Sequence, residues 1–412
     1  MSTTSTEDTW SPLRADPSTT QPGVVLHGRA WTSAPAFPDP VAPRPCVVLA
    51  RVVGTAGGYV RGLSAAGAPV TVCTTLDQVG PALSRFGSEA DVVDLRPLDG
   101  ADVVESLGLG AALSGRTARL VTVVRGVFDV LGDEHLDPRL AMLPAVCRSV
   151  RQENPLLATS CLDVTDASAP ADGLVRLLSG RELPASAALR RNTTWYPQPH
   201  RLHAASSGPV IRPHGVYLVL GGLGRLGAQV ARAIAAQAPT TLVLAQRNLP
   251  RYSAGLPVGG SAVDLRQVDV TSPAQLSALL DAVQAQYGGL HGVVHAAGTR
   301  LSRARIDELP THRSIRDQLT EATAASVLGT TTLYAALEGR DLDFCALVTP
   351  GPEAPGHALH TAAAAFQHAF AHKARSRAGR PWTAVGGELS ALGAGLLPAL
   401  ATGVGSVLAT AP

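Results

Sequence analysis

The residues with the clearest chemical potential are Gly222, Gly224 and Gly227, a GxGxxG inside the stretch GVYLVLGGLGRLGAQVARAI that begins at Gly215. Val216 to Leu220 read as a buried parallel strand, and Leu226, Val230, Ala233 and Ile234 give the following segment an apolar helical face. In a strand, turn and helix of this kind the first glycine permits the tight turn, the second lets backbone approach a pyrophosphate, and the third lets helix and strand pack closely. Phosphates would then sit at the helix N-terminus, where free N–H groups and the dipole favour negative charge. At the end of the next apolar strand, TLVLAQR from Thr241, an NAD-type site would carry a carboxylate for the ribose hydroxyl; this chain has Gln246 and Arg247. A guanidinium suits a 2′-phosphate, so the pattern favours NADP(H).

Other constellations are weaker. His368 and His372 are spaced i, i+4, but HAFAH lacks the glutamate of a HExxH and no third ligand suggests itself, so they are expected to be solvated helix histidines and no metal is expected. No GxSxG occurs, and Ser, His and Asp are too scattered to argue a triad. Cys46, Cys73, Cys147, Cys161 and Cys345 lie in apolar segments without metal-type spacing, as buried thiols in a reducing cytoplasm would. The formal net charge is +2 and no basic run interleaves with aromatics, which argues against nucleic acid or an anionic membrane as partner.

The elements that must position these residues fall into two α/β regions. With 412 residues, 45% of them hydrophobic and 16% charged, the chain can bury two substantial cores. Residues 1–23 are polar, lack a signal-like apolar core and are expected to be a disordered leader; with the initial Met they favour a discrete protein. Residues 24–205 form the first region: a strand from Val24 to Trp31, a Pro-rich connector, then alternating strands and helices that imply a parallel sheet. Gly54, Gly57 and Gly58 follow its first parallel strand but do not form GxGxxG, so no dinucleotide is expected there. A helix is expected to start at Pro144 and end before Pro155, with Val146 and Val150 facing inward. The Ser/Gly/Pro-rich HAASSGPVIRPHG marks a boundary near residues 205–214, and 206–412 form the second region, six strands alternating with helices in a doubly wound sheet. Its last stretch, GAGLLPALATGVGSVLATAP, is apolar but broken by Pro398 and glycines, which predicts a packed helical end rather than a membrane span.

Taken together, the two halves resemble the ketoreductase domains of modular polyketide synthases, in the short-chain dehydrogenase/reductase superfamily. The strand ending at Trp31 and RSVRQENP are similar to the family's structural, truncated Rossmann-like subdomain; GGLGRLG, Arg247, Asp269 in VDVTS, HAAG at His295 to Gly298, and LYAALEGRDLDFCALVTP are similar to its NADP(H)-binding subdomain. The resemblance implies two tandem Rossmann-like subdomains and cofactor contacts from Gly222, Gly224, Arg225, Leu226, Gly227, Arg247, Asp269, Val270, Ala296 and Ala297. It also implies a polyketide synthase module or an acyl carrier protein as partner.

The family's catalytic positions depart from the pattern. Carbonyl reduction leaves negative charge on oxygen, and the family answers it with a Tyr proton donor, a second donor Ser, a Lys and an Asn. Aligning GHALHTAAAAFQHAFA places His360 at the Tyr position and Ala364 at the Asn position; Pro350 falls at the Ser position and Ser326 at the Lys position. Lys373 is the only lysine in the chain, so no shifted alignment restores the Lys. The stretch TRLSRARIDELP also lacks the LDD-like and Trp signatures that set product stereochemistry in the family.

These departures leave three readings. The first is a catalytically inactive, ketoreductase-like scaffold or partner in a polyketide pathway, any NADP(H) binding being vestigial. The second is an NADPH-dependent reductase with unrecognised donors. The third is a redox-neutral acid/base enzyme, of epimerase or dehydratase type, built on the near-neutral imidazole of His360.

Overall fold

The computed structural model describes residues 24–33, 43–86, 90–165, 170–203, 209–249, 260–298, 305–308, 312–351 and 355–410. Residues 1–23, expected to be a leader, lie outside them, as do most of the Pro-rich connector and part of the boundary segment.

In the first half the chain runs β1 (Val25–Ser33), β2 (Cys46–Leu49), α1 (Val53–Ala65), β3 (Val70–Cys73), α2 (Val79–Phe86), β4 (Asp91–Asp94), α3 (Val103–Ala112) and β5 (Ala118–Val124). It continues through α4 (Met142–Glu153), β6 (Leu157–Asp163), α5 (Pro170–Leu178), β7 (Ser186–Arg190) and β8 (Thr193–Leu202). The second half runs β9 (Val216–Leu220), α6 (Arg225–Ala235), β10 (Thr241–Gln246), β11 (Ala262–Gln267), α7 (Pro273–Tyr287), β12 (Gly292–His295) and α8 (His312–Ala336). It ends with β13 (Phe344–Pro350), α9 (Ala358–Ala378), β14 (Trp382–Gly387), α10 (Leu389–Ala401) and β15 (Ser406–Thr410).

Two parallel, helix-covered sheets are joined edge to edge in one sheet ordered β11-β10-β9-β12-β13-β14-β15-β1-β8-β7-β6-β5-β4-β2-β3. The second half winds outward in both directions from β9, so its strand order reverses between β9 and β12, where open α/β sheets bind ligands. The strands of both parallel regions are apolar on both faces; Val216–Leu220 and Val47–Leu49 are buried throughout, as strands sandwiched between helix layers require.

The seam between the halves is antiparallel. Strand β1 pairs with β8 in a register that includes Leu26 with Leu202 and Thr32 with Tyr196. On its other edge β1 pairs with β15, Val25 with Thr410 and His27 with Leu408. This corrects the helical end expected from the C-terminal composition: α10 holds Pro398 inside it, and after Gly403 (φ +70°) the chain turns into β15, which also runs parallel to β14. Gly54, Gly57 and Gly58 lie inside α1.

Helix α4 starts two residues before Pro144, tolerated because a first-turn proline forfeits no intrahelical bond, and it buries Val146 and Val150 as predicted. Its last residue ties the halves together. The buried Glu153 carboxylate accepts the Ile306 N–H at 2.5 Å and the Gly356 N–H at 2.9 Å, holding two loops of the second half against the end of α4.

Candidate functional site

The glycine turn between β9 and α6 is built as a phosphate cradle. Gly221, which the spacing argument left out, has φ +79°, and a Cβ there would lie 2.7 Å from the Ala296 carbonyl oxygen and from Ala297. Its role depends on contact with the end of β12, adjacent to β9 in the sheet but three strands later in the chain, which a local motif does not reveal. Gly227 packs so closely that a Cβ would sit 2.2 Å from the Gly221 oxygen. Helix α6 begins at Arg225 with Gly224 as its N-cap, so no side chain caps the first turn and its N–H groups keep no intrahelical acceptor. The structure therefore brings Gly222, Gly224, Arg225, Leu226 and Gly227 together with Ala296 and Ala297 in an arrangement that fits a dinucleotide pyrophosphate.

The residues expected at the adenosine end also converge. Gln246 closes β10, and its Oε1 accepts the Leu223 N–H at 3.2 Å, bracing the cradle from below. Arg247 follows, exposed. Asp269 accepts the Thr271 hydroxyl at 2.7 Å and the Thr271 N–H at 2.9 Å; these bonds, with the nearby Arg247 guanidinium, hold its carboxyl below the usual range. Val270 is buried beside Gly329 of α8. His295, in the segment matched to the cofactor loop, is instead a core residue: fully buried, its Nε2 lies 2.9 Å from the Ala325 carbonyl, and burial lowers its pKa to about 4.

Of the four positions that carry the family's donors, three share one cavity of about 270 Å³. Pro350 ends β13, while His360 and Ala364 lie one turn apart on α9 and face the same space. His360 is buried, its ring centroid 6.4 Å from that of His357. Ser326 lies on α8, one residue beyond the carbonyl that meets His295, and does not line the cavity. Of these three residues only His360, through its imidazole N–H, can donate a hydrogen bond from its side chain. Proline offers neither side-chain donor nor N–H, and alanine nothing polar.

The same face of α9 carries a further correction. His368 and His372 are not solvated helix histidines but line the cavity. His368 lies 3.1 Å from the Thr349 hydroxyl and 2.7 Å from that of Ser406; burial, reinforced by Arg29 and Arg148, lowers its pKa to about 4. His372 Nε2 meets Asp129 Oδ2 at 2.9 Å, a contact between the halves. Among the described residues no group of three or more His, Cys, Asp or Glu is arranged to hold a metal, and no helix is long and apolar enough to cross a membrane. All five cysteines are buried and free.

Comparisons with known proteins agree on the type of fold. The KR domain family model matches residues 215–389. The chain is 30% identical over 353 residues to erythronolide synthase EryA3 of Saccharopolyspora erythraea, covering 79% of this chain and 11% of that protein. It is 25% identical over 359 residues to 6-methylsalicylic acid synthase of Penicillium expansum, covering 78% of this chain and 19% of the other. The chain thus spans only a small part of the curated relatives it matches. Among solved structures, the first ketoreductase of the tylosin PKS superposes with a TM-score of 0.78 at 23% identity, covering 94% of this chain and 92% of that one. An A-type ketoreductase from a modular polyketide synthase gives 0.74 at 23% identity, covering 93% and 92%. At these identities the superpositions speak for the fold.

Proposed function

We propose that this chain, whose residues 215–389 match the KR domain family model, is a non-reducing member of the polyketide synthase ketoreductase family, a structural or partner component of a polyketide pathway. The observation that carries this reading is a wall in which Pro350 and Ala364 offer no side-chain donor and the His360 imidazole stands in place of the Tyr, with Ser326 on a different helix away from it. KR domains of this type bind NADP(H), which supplies a hydride. In this chain the glycine cradle, the uncapped start of α6 and the exposed Arg247 are suited to hold the nucleotide, whereas the family's Tyr, Ser and Lys positions hold His360, Pro350 and Ser326. A polyketide synthase module or an acyl carrier protein is the partner this reading calls for.

The decisive experiment offers purified protein NADPH and a β-ketoacyl thioester surrogate and follows NADPH absorbance and solvent deuterium uptake together. Neither signal should exceed background. Robust NADPH oxidation abolished by His360→Ala would replace this reading with an active reductase, and deuterium uptake without oxidation would replace it with acid/base chemistry at His360.

Nucleotide selectivity is a separate expectation. NADP(H) should bind in preference to NAD(H), and Arg247→Ala should erase the preference by weakening NADP(H) about tenfold, the scale of one charge-assisted contact. Calorimetric titration of both nucleotides decides it; equal affinities in the wild type would show that Arg247 does not read the 2′-phosphate.

A further inference from the structure

The cavity beside His360 reaches across the seam between the halves, and its charge is unlike that of an ordinary core. Alternation along β1 turns His27, Arg29 and Trp31 to it, and the i, i+3, i+4, i+7 face of α4 contributes Ala141, Pro144, Ala145 and Arg148. Small residues at facing positions, Ala145 on α4 with Ala365 and Ala369 on α9, leave the space open. Arg29 and Arg148 both line it, Arg29 exposed to its water-accessible space and Arg148 half-buried; the protein packed around Arg29, with Arg148 nearby, pulls Arg29 down to about 10, still charged at neutral pH.

Neither arginine forms an ion pair or hydrogen bond among the described residues. Arg29 stacks over the Phe128 ring, 5.3 Å from its centroid. The one carboxylate on the wall, Asp129, is already engaged: Oδ2 with His372 at 2.9 Å, and Oδ1 with the N–H groups of Gly132 at 2.7 Å and Glu134 at 3.3 Å. The histidines do not supply an anion either. His368 sits between two hydroxyls and is neutral at pH 7, and burial with Arg201 nearby lowers the pKa of His27. Two neighbouring guanidiniums that open onto one cavity and hold no carboxylate among the described residues leave their donors available to an anion that enters it.

We propose that this cavity binds a compact organic carboxylate, its head held by Arg29 and Arg148 and its apolar body against Trp31, Phe128 and Leu136. The size fits: about 270 Å³ is slightly below the roughly 300–1,000 Å³ of most small-molecule pockets. The walls also choose between anions. Trp31 and Phe128, with ring centroids 5.0 Å apart, offer a surface that inorganic phosphate cannot use and an aryl or branched alkyl carboxylate can. Because walls from both halves meet the ligand, binding also clamps the seam.

The test uses the full chain with three probes: benzoate, its neutral isostere benzamide, and inorganic phosphate. Ligand-observed NMR should detect benzoate, and titration should show benzamide and phosphate at least about tenfold weaker, with Arg29→Gln and Arg148→Gln each weakening benzoate by a similar factor. Relief of like-charge repulsion should leave each unliganded variant with a melting temperature at or above that of the wild type, so that loss of binding is separable from loss of fold. Failure of benzoate to bind, equal binding of benzamide, tighter binding of phosphate, or wild-type affinity in both variants would each overturn the proposal. No nucleotide or thioester takes part, so the outcome is independent of the reading that the chain does not reduce ketones.

Discussion

Replacing Arg190 with alanine is expected to destabilise the fold by about 3–5 kcal/mol, the cost of leaving buried charge without its partner. Arg190 is the last residue of β7, and its side chain is 1% exposed. Its guanidinium bonds the Glu134 carboxylate, meets Asp163 Oδ2 at 3.0 Å, and donates to the carbonyls of Phe128 at 3.0 Å and Asp163 at 3.1 Å. Asp163 in turn accepts the N–H groups of Gly126 at 3.0 Å, Val127 at 3.0 Å and Phe128 at 2.9 Å. The loop after β5, which delivers Phe128 and Asp129 to the cavity, therefore hangs on this one cation. Arg190→Met should cost nearly as much despite its volume, because the two carboxylates remain, whereas adding Glu134→Gln, whose amide oxygen can still accept the Val130 and Leu131 N–H groups, should recover part of the loss. Urea unfolding measures all three variants. A loss below about 1 kcal/mol for Arg190→Ala, the ordinary range of a single substitution, would mean that water reaches and screens the cluster.

How much of this was legible in the sequence follows from how local each feature is. Gly222, Gly224 and Gly227 could be read because strand, turn and helix adjoin in the chain. Gly221 could not, because its constraint is the Ala296 carbonyl from a neighbouring strand. Strand β1 was legible, but β15 was not: Gly and Pro dominate its approach, and it becomes a strand because β1, almost the whole chain away, offers an edge. His368 and His372 were misjudged for a similar reason. Helical spacing says that two residues share a face, not which neighbour covers it, and here α4 and the seam cover it. The cluster of Arg29, Arg148 and Asp129 has no sequence signature, since its members come from β1, a helix and a loop that meet only in the folded seam.

Restoring the family's proton donor by His360→Tyr should produce no measurable ketoreductase turnover, and the reasons are structural as well as chemical. The position is 8% exposed and faces the cavity, so the larger ring would extend into the space that a substrate needs. Even seated, the phenol would keep a pKa near 10, as no lysine stands at Ser326 to lower it. Pro350 would still provide no second donor to the developing alkoxide, and Ala364 no relay. Losing one such donor costs on the order of 10² to 10³ in rate, and donors that act as a unit do not contribute additively, so one returned member regains little. The assay compares NADPH oxidation by the wild type, by His360→Tyr, and by a variant carrying Tyr at 360 with Ser326→Lys, Pro350→Ser and Ala364→Asn. Only the fourfold variant is expected to rise above background. Turnover by His360→Tyr alone would mean that the other three positions are dispensable here and that the chain stands a single residue away from reduction chemistry.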